Sequence, residues 1–99
     1  MRSVEWSAEA LADFDDQINF IALSSKKNAT LVADRIEEAV ALLKFAPTGR
    51  FGRIEGTYEK LVSKTSLIIA YQLTPSGNIA IARIIHAAQD WPLGRWPEE

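Results

Sequence analysis

The chain has 99 residues, the length of one domain, and we expect a single domain over residues 1–99 with an extended tail from residue 87 onward. Hydrophobic residues make up 47% and charged residues 24%, a mixture that excludes intrinsic disorder. With no cysteine and one histidine, thiol chemistry and two-histidine metal sites are excluded, and we expect no metal site. The net charge of −2 does not favour nonspecific binding to nucleic acid. No apolar run reaches the roughly 20 residues of a membrane span, so we expect a cytoplasmic protein without a membrane partner.

The first predicted elements are a short strand and a helix. Residues 3–6 alternate polar and apolar side chains, as in a strand, and Ser7 follows as a helix N-cap. Apolar spacing then predicts a helix over residues 8–23, whose inner face consists of Leu11, Phe14, Ile18 and Ile21. We expect the carboxylates between them to form a solvated face and not a metal site; they are Asp13, Asp15 and Asp16.

A second helix follows a polar break over residues 24–28. Its apolar stripe consists of Val32, Ile36, Ala39, Val40 and Leu43, and Pro47 and Gly49 end it. Because only a short break separates the two helices, we expect an antiparallel helical hairpin.

The second half of the chain predicts strands. A loop over residues 48–53 contains two glycines and two arginines, and strands are expected over residues 58–63, 67–73 and 79–86, with a turn at 75–78. The last two strands are apolar on both faces, which predicts central strands and a second sheet face that is covered by a partner or by self-association. Tyr71 is expected in the core with its hydroxyl at the rim.

Basic residues concentrate in the middle of the chain, where residues 44–86 contain six basic and two acidic side chains. Arg50, Arg53, Lys60, Lys64, Arg83 and His86 lie in the loop and in the predicted strands. They can bind an RNA backbone or an acidic protein, or they can simply be solubilising residues at the sheet edges. His86 can act as a general base beside an arginine, or it can make a structural hydrogen bond at a strand end.

The tail adds two tryptophans, each followed by proline, which disfavours a helix there. We expect Trp91 to pack back onto the core and Trp96 to be exposed or bound to a partner.

Three segments carry a resemblance to a known family. Residues 49–61 contain a Gly-Arg-x-Gly-Arg and a Gly-Thr-x-Glu motif, residues 69–71 read Ile-Ala-Tyr, and residues 81–92 end in His-x-x-Gln-x-Trp-Pro. In this order they resemble the RelE/ParE family of type II toxin–antitoxin toxins. The resemblance implies an α+β fold of order β-α-α-β-β-β, with the helical hairpin packed on one face of an antiparallel sheet.

The resemblance also implies a function, and the family has two branches. RelE-like members cleave messenger RNA on the ribosome, and ParE-like members poison DNA gyrase. RelE-like toxins tend to carry an arginine just before the residue that matches Tyr71, whereas this chain has the apolar residues 67–70 there. The sequence is therefore closer to the ParE branch. That resemblance implies a protein-binding toxin rather than an enzyme, which needs no cofactor. It also implies a cognate antitoxin and DNA gyrase as partners, and no sequence-specific DNA binding by this chain alone.

The residues expected to bind the target or the antitoxin are Arg50, Arg53, Lys60, Lys64, Arg83, Trp91 and Trp96. Two alternatives stay open. One is a ribosome-dependent endoribonuclease with His86 and Arg83 in its site, and the other is a degenerate member of the family without toxicity.

Overall fold

The described part of the chain, residues 2–87 of a computed structural model, begins with a strand and a helical hairpin and continues with four strands. The elements are β1 (Val4–Trp6), α1 (Ala8–Ser24), α2 (Lys26–Phe45), β2 (Arg50–Phe51), β3 (Tyr58–Leu61), β4 (Leu67–Leu73) and β5 (Ile79–His86). The α+β class and the strand–helix–helix–strand order are confirmed. The two-residue strand β2, inside the predicted loop, is an addition, and β3 is shorter than expected.

Serine side chains set the starts of both helices. The Ser7 hydroxyl accepts a hydrogen bond from the Ala10 amide at 2.9 Å, and the Ser25 hydroxyl accepts one from the Asn28 amide at 3.1 Å. Each bond satisfies one of the amides that a helix start leaves without a helical partner. Ser25 is also the C-cap of α1, so the predicted polar break contracts to one residue.

The five strands form one mixed sheet in the order β1-β5-β4-β3-β2. Strand β1 runs parallel to β5, with Val4 opposite Ile79, whereas every other neighbouring pair is antiparallel. The expectation of an antiparallel sheet is therefore wrong at β1. The physical reason is connectivity: tight turns impose antiparallel pairing on β3, β4 and β5, but a two-helix crossover leads away from β1 and permits parallel pairing.

The main core lies between the helices and the sheet. Ile36 and Leu43 of α2 pack there with Ile69, Tyr71 and Ile81, and all five are almost fully buried. The predicted stripe of α2 is confirmed, because its other members are buried or pack against this core. Fully burying side chains of this size contributes about 1.5–3 kcal/mol each.

The predicted stripe of α1 is only partly right. Phe14 and Ile18 pack against the core while half-buried, but Leu11 is 51% exposed. Ala10 and Asp13 are the buried residues of α1, so the helix is rotated by roughly one position from the face that apolar spacing predicts.

Strand β4 is buried along most of its length, as a central strand should be. Within β4, Ile69 and Tyr71 belong to the helix-side core. Because side chains alternate along a strand, Ala70 between them points to the opposite face, where it clusters with Ile85. The prediction that both central strands are apolar on both faces is confirmed. That a partner covers the second face stays a prediction. Among residues 2–87, no helix is long and apolar enough to cross a membrane.

Candidate functional site: the loop at the β2 edge

Glu59 organises the loop that connects α2 to β3. Its side chain is 3% exposed, and its two oxygens accept hydrogen bonds from different parts of the loop. Arg50 Nη2 donates to Oε1 at 3.2 Å, and the Arg53 backbone amide donates to Oε2 at 2.9 Å. Because a buried carboxylate without partners is costly, the loop has to keep both bonds, which fixes Arg50 and Arg53 relative to β3.

The two glycines of the loop allow its close approach to β3. Gly49 has φ +127°, and a Cβ there would lie 2.4 Å from the backbone oxygen of Glu59. A Cβ at Gly52 would meet the Thr57 hydroxyl, and the Gly52 amide donates to the Thr57 carbonyl at 2.8 Å. The glycines of the Gly-Arg-x-Gly-Arg motif therefore permit the close approach of the loop, and the Arg50 side chain and the Arg53 backbone amide hold it through Glu59.

Three stacked rings extend from the core to this loop. Tyr71 stacks on Tyr58 with ring centroids 5.5 Å apart, and Tyr58 stacks on Phe51 at 5.6 Å. The Tyr71 hydroxyl donates to the Thr48 carbonyl at 2.6 Å, which confirms the expectation of a core ring with its hydroxyl at the rim. Burial, and then the neighbouring Tyr58, raise the pKa of Tyr71 above its ordinary value of 10.0. Phe51, the outermost ring, is 84% exposed.

The other predicted basic residues lie in two separate places. Lys60 Nζ donates to the Thr48 hydroxyl at 2.9 Å, so it belongs to the same loop region. Lys64 lies in the turn between β3 and β4 with φ +59°, and it lines a cavity of about 240 Å³ together with half-buried His86. The structure therefore brings Arg50 and the Arg53 amide together at Glu59 and places Lys60 on the opposite face of β3, beside Thr48. Lys64 and His86 lie elsewhere, beside the turn between β3 and β4.

Arg83 makes a buried ion pair with α1. Its Nε donates to Asp13 Oδ2 at 2.7 Å and its Nη2 donates to Asp13 Oδ1 at 3.0 Å, with side-chain exposures of 13% and 9%. Asp13 Oδ2 also accepts the Ile84 amide at 2.9 Å. Strand β1 ends at Trp6, opposite Ile81, and does not extend as far as Ile84. The Asp13 carboxylate therefore accepts the Ile84 amide of β5 beyond the end of β1.

The expectation that Asp13 belongs to a solvated face is therefore wrong, although Asp15 and Asp16 are exposed as predicted. The spacing of the acidic residues on α1 gave no sign of a partner 70 positions away. In residues 2–87, no three His, Cys, Asp or Glu side chains lie where they could hold a metal ion together.

Sequence reasoning missed Glu59 and Phe51. The signal for Glu59 was its place in the Gly-Thr-x-Glu motif, and the signal for Phe51 was an aromatic residue inside an otherwise polar loop. The tryptophans predicted to contact a partner, Trp91 and Trp96, lie outside the described residues, as does the tail beyond residue 87.

Three comparisons relate this chain to known proteins. A family model described as ParE toxin of type II toxin-antitoxin system, parDE, matches residues 4–91. The chain is similar to a curated protein of Sinorhizobium fredii (strain NBRC 101917 / NGR234) named Putative toxin Y4kP, with 33% identity over 92 residues, which are 92% of this chain and 94% of that protein. A solved structure, described as the chromosomal ParDE TA system from P. aeruginosa, shares the fold with a TM-score of 0.77 and 22% identity over 87% of this chain and 96% of that one.

These matches define the chain as a toxin component of the RelE/ParE superfamily. Within that superfamily, the chain belongs to the ParE toxin family of type II toxin–antitoxin systems.

Proposed function

We propose that this ParE-family chain inhibits DNA gyrase in the bacterial cytoplasm and that a cognate antitoxin neutralises it. The proposal is supported by the membership of the chain in the ParE family and by the ion pair that Arg83 makes with Asp13. The proposal describes a toxin that acts by binding a protein, without a covalent step of its own.

The buried Arg83–Asp13 pair is the observation that separates this proposal from the nuclease alternative. A phosphodiester-cleaving site needs cations that face the developing charge on the phosphate. The guanidinium of Arg83 instead binds a carboxylate through two hydrogen bonds, and the Arg83 side chain is 13% exposed. Strand β4 contributes no basic side chain, because its residues 67–73 are uncharged. This arrangement supports a binding role over RNA cleavage.

A supercoiling assay tests the gyrase target. Purified chain added to gyrase, relaxed plasmid and ATP is expected to reduce supercoiling in proportion to its concentration and to accumulate cleaved plasmid. His86→Ala is the matched variant, because only the nuclease alternative assigns a role to His86. We expect this variant to inhibit supercoiling as strongly as the wild type. Full supercoiling at a large molar excess of a folded chain would contradict the proposal.

Induction in cells tests the remaining alternatives. We expect growth arrest without the antitoxin and normal growth when the neighbouring antitoxin gene is expressed with the toxin. Messenger RNA cuts at codon positions that disappear in His86→Ala would instead establish the endoribonuclease. Normal growth after induction of the toxin alone would establish a degenerate member of the family.

A further inference from the structure

Three apolar side chains are buried on the sheet face that turns away from the helices. Ile68, Ala70 and Ile85 are 6%, 0% and 1% exposed. Ile68 lies opposite Ile85 in the β4–β5 ladder, and Ala70 clusters with Ile85. The helices pack on the other side of the sheet, around Ile69 and Tyr71, so neither helix covers these three residues.

Within residues 2–87, the loops and turns do not account for the burial of Ile85. The loop over residues 52–57 is held on β3 by Glu59, two strand spacings or about 10 Å away from β5. The turn over residues 62–66 leans to the helix side, where its residues 64–66 line the cavity beside His86. The turn over residues 74–78 lies at the opposite ends of β4 and β5. These exposures are those of a single chain, so the cover belongs to the chain itself.

The chain continues from the border of this second face. Ala87, the last described residue, lines a cavity of about 410 Å³ together with Leu61 and Ile68. Ile85 lies two residues, or about 7 Å, back along the chain from Ala87. Four residues span at most about 14 Å, so Trp91 can reach back over Ile85 and its partner Ile68.

The sequence beyond Ala87 has the composition of a cover for this face. Residues 88–99 contain two tryptophans and a leucine, and a tryptophan buries about 150–250 Å² of surface. Each tryptophan precedes a proline, which favours an extended backbone that can lie flat on a sheet. The segment carries three carboxylates and one arginine, and Arg50 borders the same cavity with a side chain that is 69% exposed. Opposite charges therefore meet when the segment lies on this face.

We propose that residues 88–99 fold back over the second face of the sheet and that Trp91 covers Ile68 and Ile85. The occupant of this face is then the chain itself, in place of a partner or a second copy. The inference is independent of the gyrase target, because it concerns the free toxin. A partner that needs this face has to displace the segment first.

Nuclear magnetic resonance of the complete chain tests the contact directly. We expect nuclear Overhauser effects between the Trp91 indole protons and the methyl groups of Ile68 and Ile85. A mixture of labelled and unlabelled chains, recorded with an isotope filter, separates contacts within one chain from contacts between copies. Contacts only between copies would assign the face to a second copy and overturn the proposal, and so would the absence of any contact from Trp91.

Matched substitutions in the same segment test what the contact does. Trp91→Ala should lower the midpoint of thermal unfolding by about 10 °C or more, because it uncovers Ile68 and Ile85. Trp91→Phe, which keeps a smaller ring, should fall between Trp91→Ala and the wild type. Trp96→Ala removes the same side chain five residues further on and should shift the midpoint by less than about 3 °C. A shift from Trp91→Ala no larger than that from Trp96→Ala would overturn the assignment to Trp91.

The antitoxin encoded beside the toxin gene is the remaining occupant to test. We expect the Trp91 contacts in the free chain, before any antitoxin is added. Methyl groups of Ile68 and Ile85 that contact the antitoxin, in a chain whose free form lacks the Trp91 contacts, would assign the face to the antitoxin. That result would overturn this proposal and leave the gyrase proposal untouched, whereas failure of the supercoiling assay would leave the Trp91 contacts unchanged.

Discussion

Two arginine–carboxylate pairs occupy different parts of the sheet and differ most in the exposure of the arginine. The side chains of Arg83 and Asp13 are 13% and 9% exposed, so both charges lie inside the protein. In the other pair Glu59 is 3% exposed and Arg50 is 69% exposed. The first pair connects α1 to β5, and the second connects the edge strand β2 to β3.

This difference separates an arginine that holds the fold from one that can meet a partner. Two buried charges have lost most of their hydration, so each depends on the other, and the arginine cannot turn to a carboxylate of a partner without breaking the pair. A buried carboxylate with an exposed arginine fixes the position of the arginine while leaving much of its surface to solvent. The same two residue types therefore hold a helix against the sheet in one place and position an exposed arginine in the other.

The largest expected effect comes from breaking the buried pair. Asp13→Ala leaves the Arg83 guanidinium without its carboxylate and removes the acceptor of the Ile84 amide. We expect the free energy of unfolding to fall by about 3–5 kcal/mol, the usual cost of leaving a buried charge unpaired. Chemical denaturation followed by circular dichroism measures this change.

Asp16→Ala is the control for this measurement, because it removes an exposed carboxylate from the same helix. Its free energy of unfolding should stay within about 0.5 kcal/mol of the wild type. If Asp13→Ala behaved like Asp16→Ala, the buried pair would not hold α1 against β5, and Arg83 would be available for other roles.

Local patterns predicted most of the fold. The apolar runs and the Pro-Ser-Gly-Asn turn predicted β4 and β5 with the bounds that are observed, because hydrophobic alternation and turn chemistry act within a few residues. The parallel pairing of β1 with β5 brings together residues 75 positions apart, such as Val4 and Ile79, and no local pattern encodes it. The family resemblance supplied the order of the elements along the chain, whereas the order of the strands in the sheet was not predicted.

The candidate site was less predictable, for the same reason. A list of basic residues does not reveal that Arg83 meets Asp13 on a helix, or that Glu59 holds Arg50 in a loop. Burial and pairing decide which arginine is exposed, and both depend on tertiary contacts. The glycines at positions 49 and 52 are visible in the sequence, but their contacts with β3 and Thr57 depend on the folded path of the loop.

An intermediate effect is expected at the second pair. Glu59→Gln keeps the shape of the side chain but removes the charge that accepts the Arg50 and Arg53 hydrogen bonds. We expect a loss of about 1–2 kcal/mol in the free energy of unfolding, since hydrogen bonds to a charged group are stronger than neutral ones. Hydrogen exchange at the Arg53 amide should accelerate, because its acceptor is weakened.

Glu55→Gln provides the control, since it changes an exposed carboxylate in the same loop. It should leave both the stability and the exchange of the Arg53 amide unchanged. Unaltered exchange of that amide in Glu59→Gln would show that the buried carboxylate does not hold the loop. Glu59 would then not fix the position of Arg50.

The smallest effect is expected from the uncharged contact that holds the same loop, the Tyr71 hydroxyl on the Thr48 carbonyl. Tyr71→Phe should lower the free energy of unfolding by about 1 kcal/mol at neutral pH, the net contribution of one neutral hydrogen bond. Burial, and then Tyr58, raise the pKa of Tyr71 in the folded state. Its protonated form therefore contributes its full stabilisation below the unfolded-state pKa of about 10. This contribution is lost as the pH rises through the raised pKa of the folded state. The difference between wild type and variant, measured by urea denaturation, should therefore be constant from pH 7 to about 9 and shrink above about 10. A difference that grew with pH would contradict this assignment, because it would require a lowered pKa.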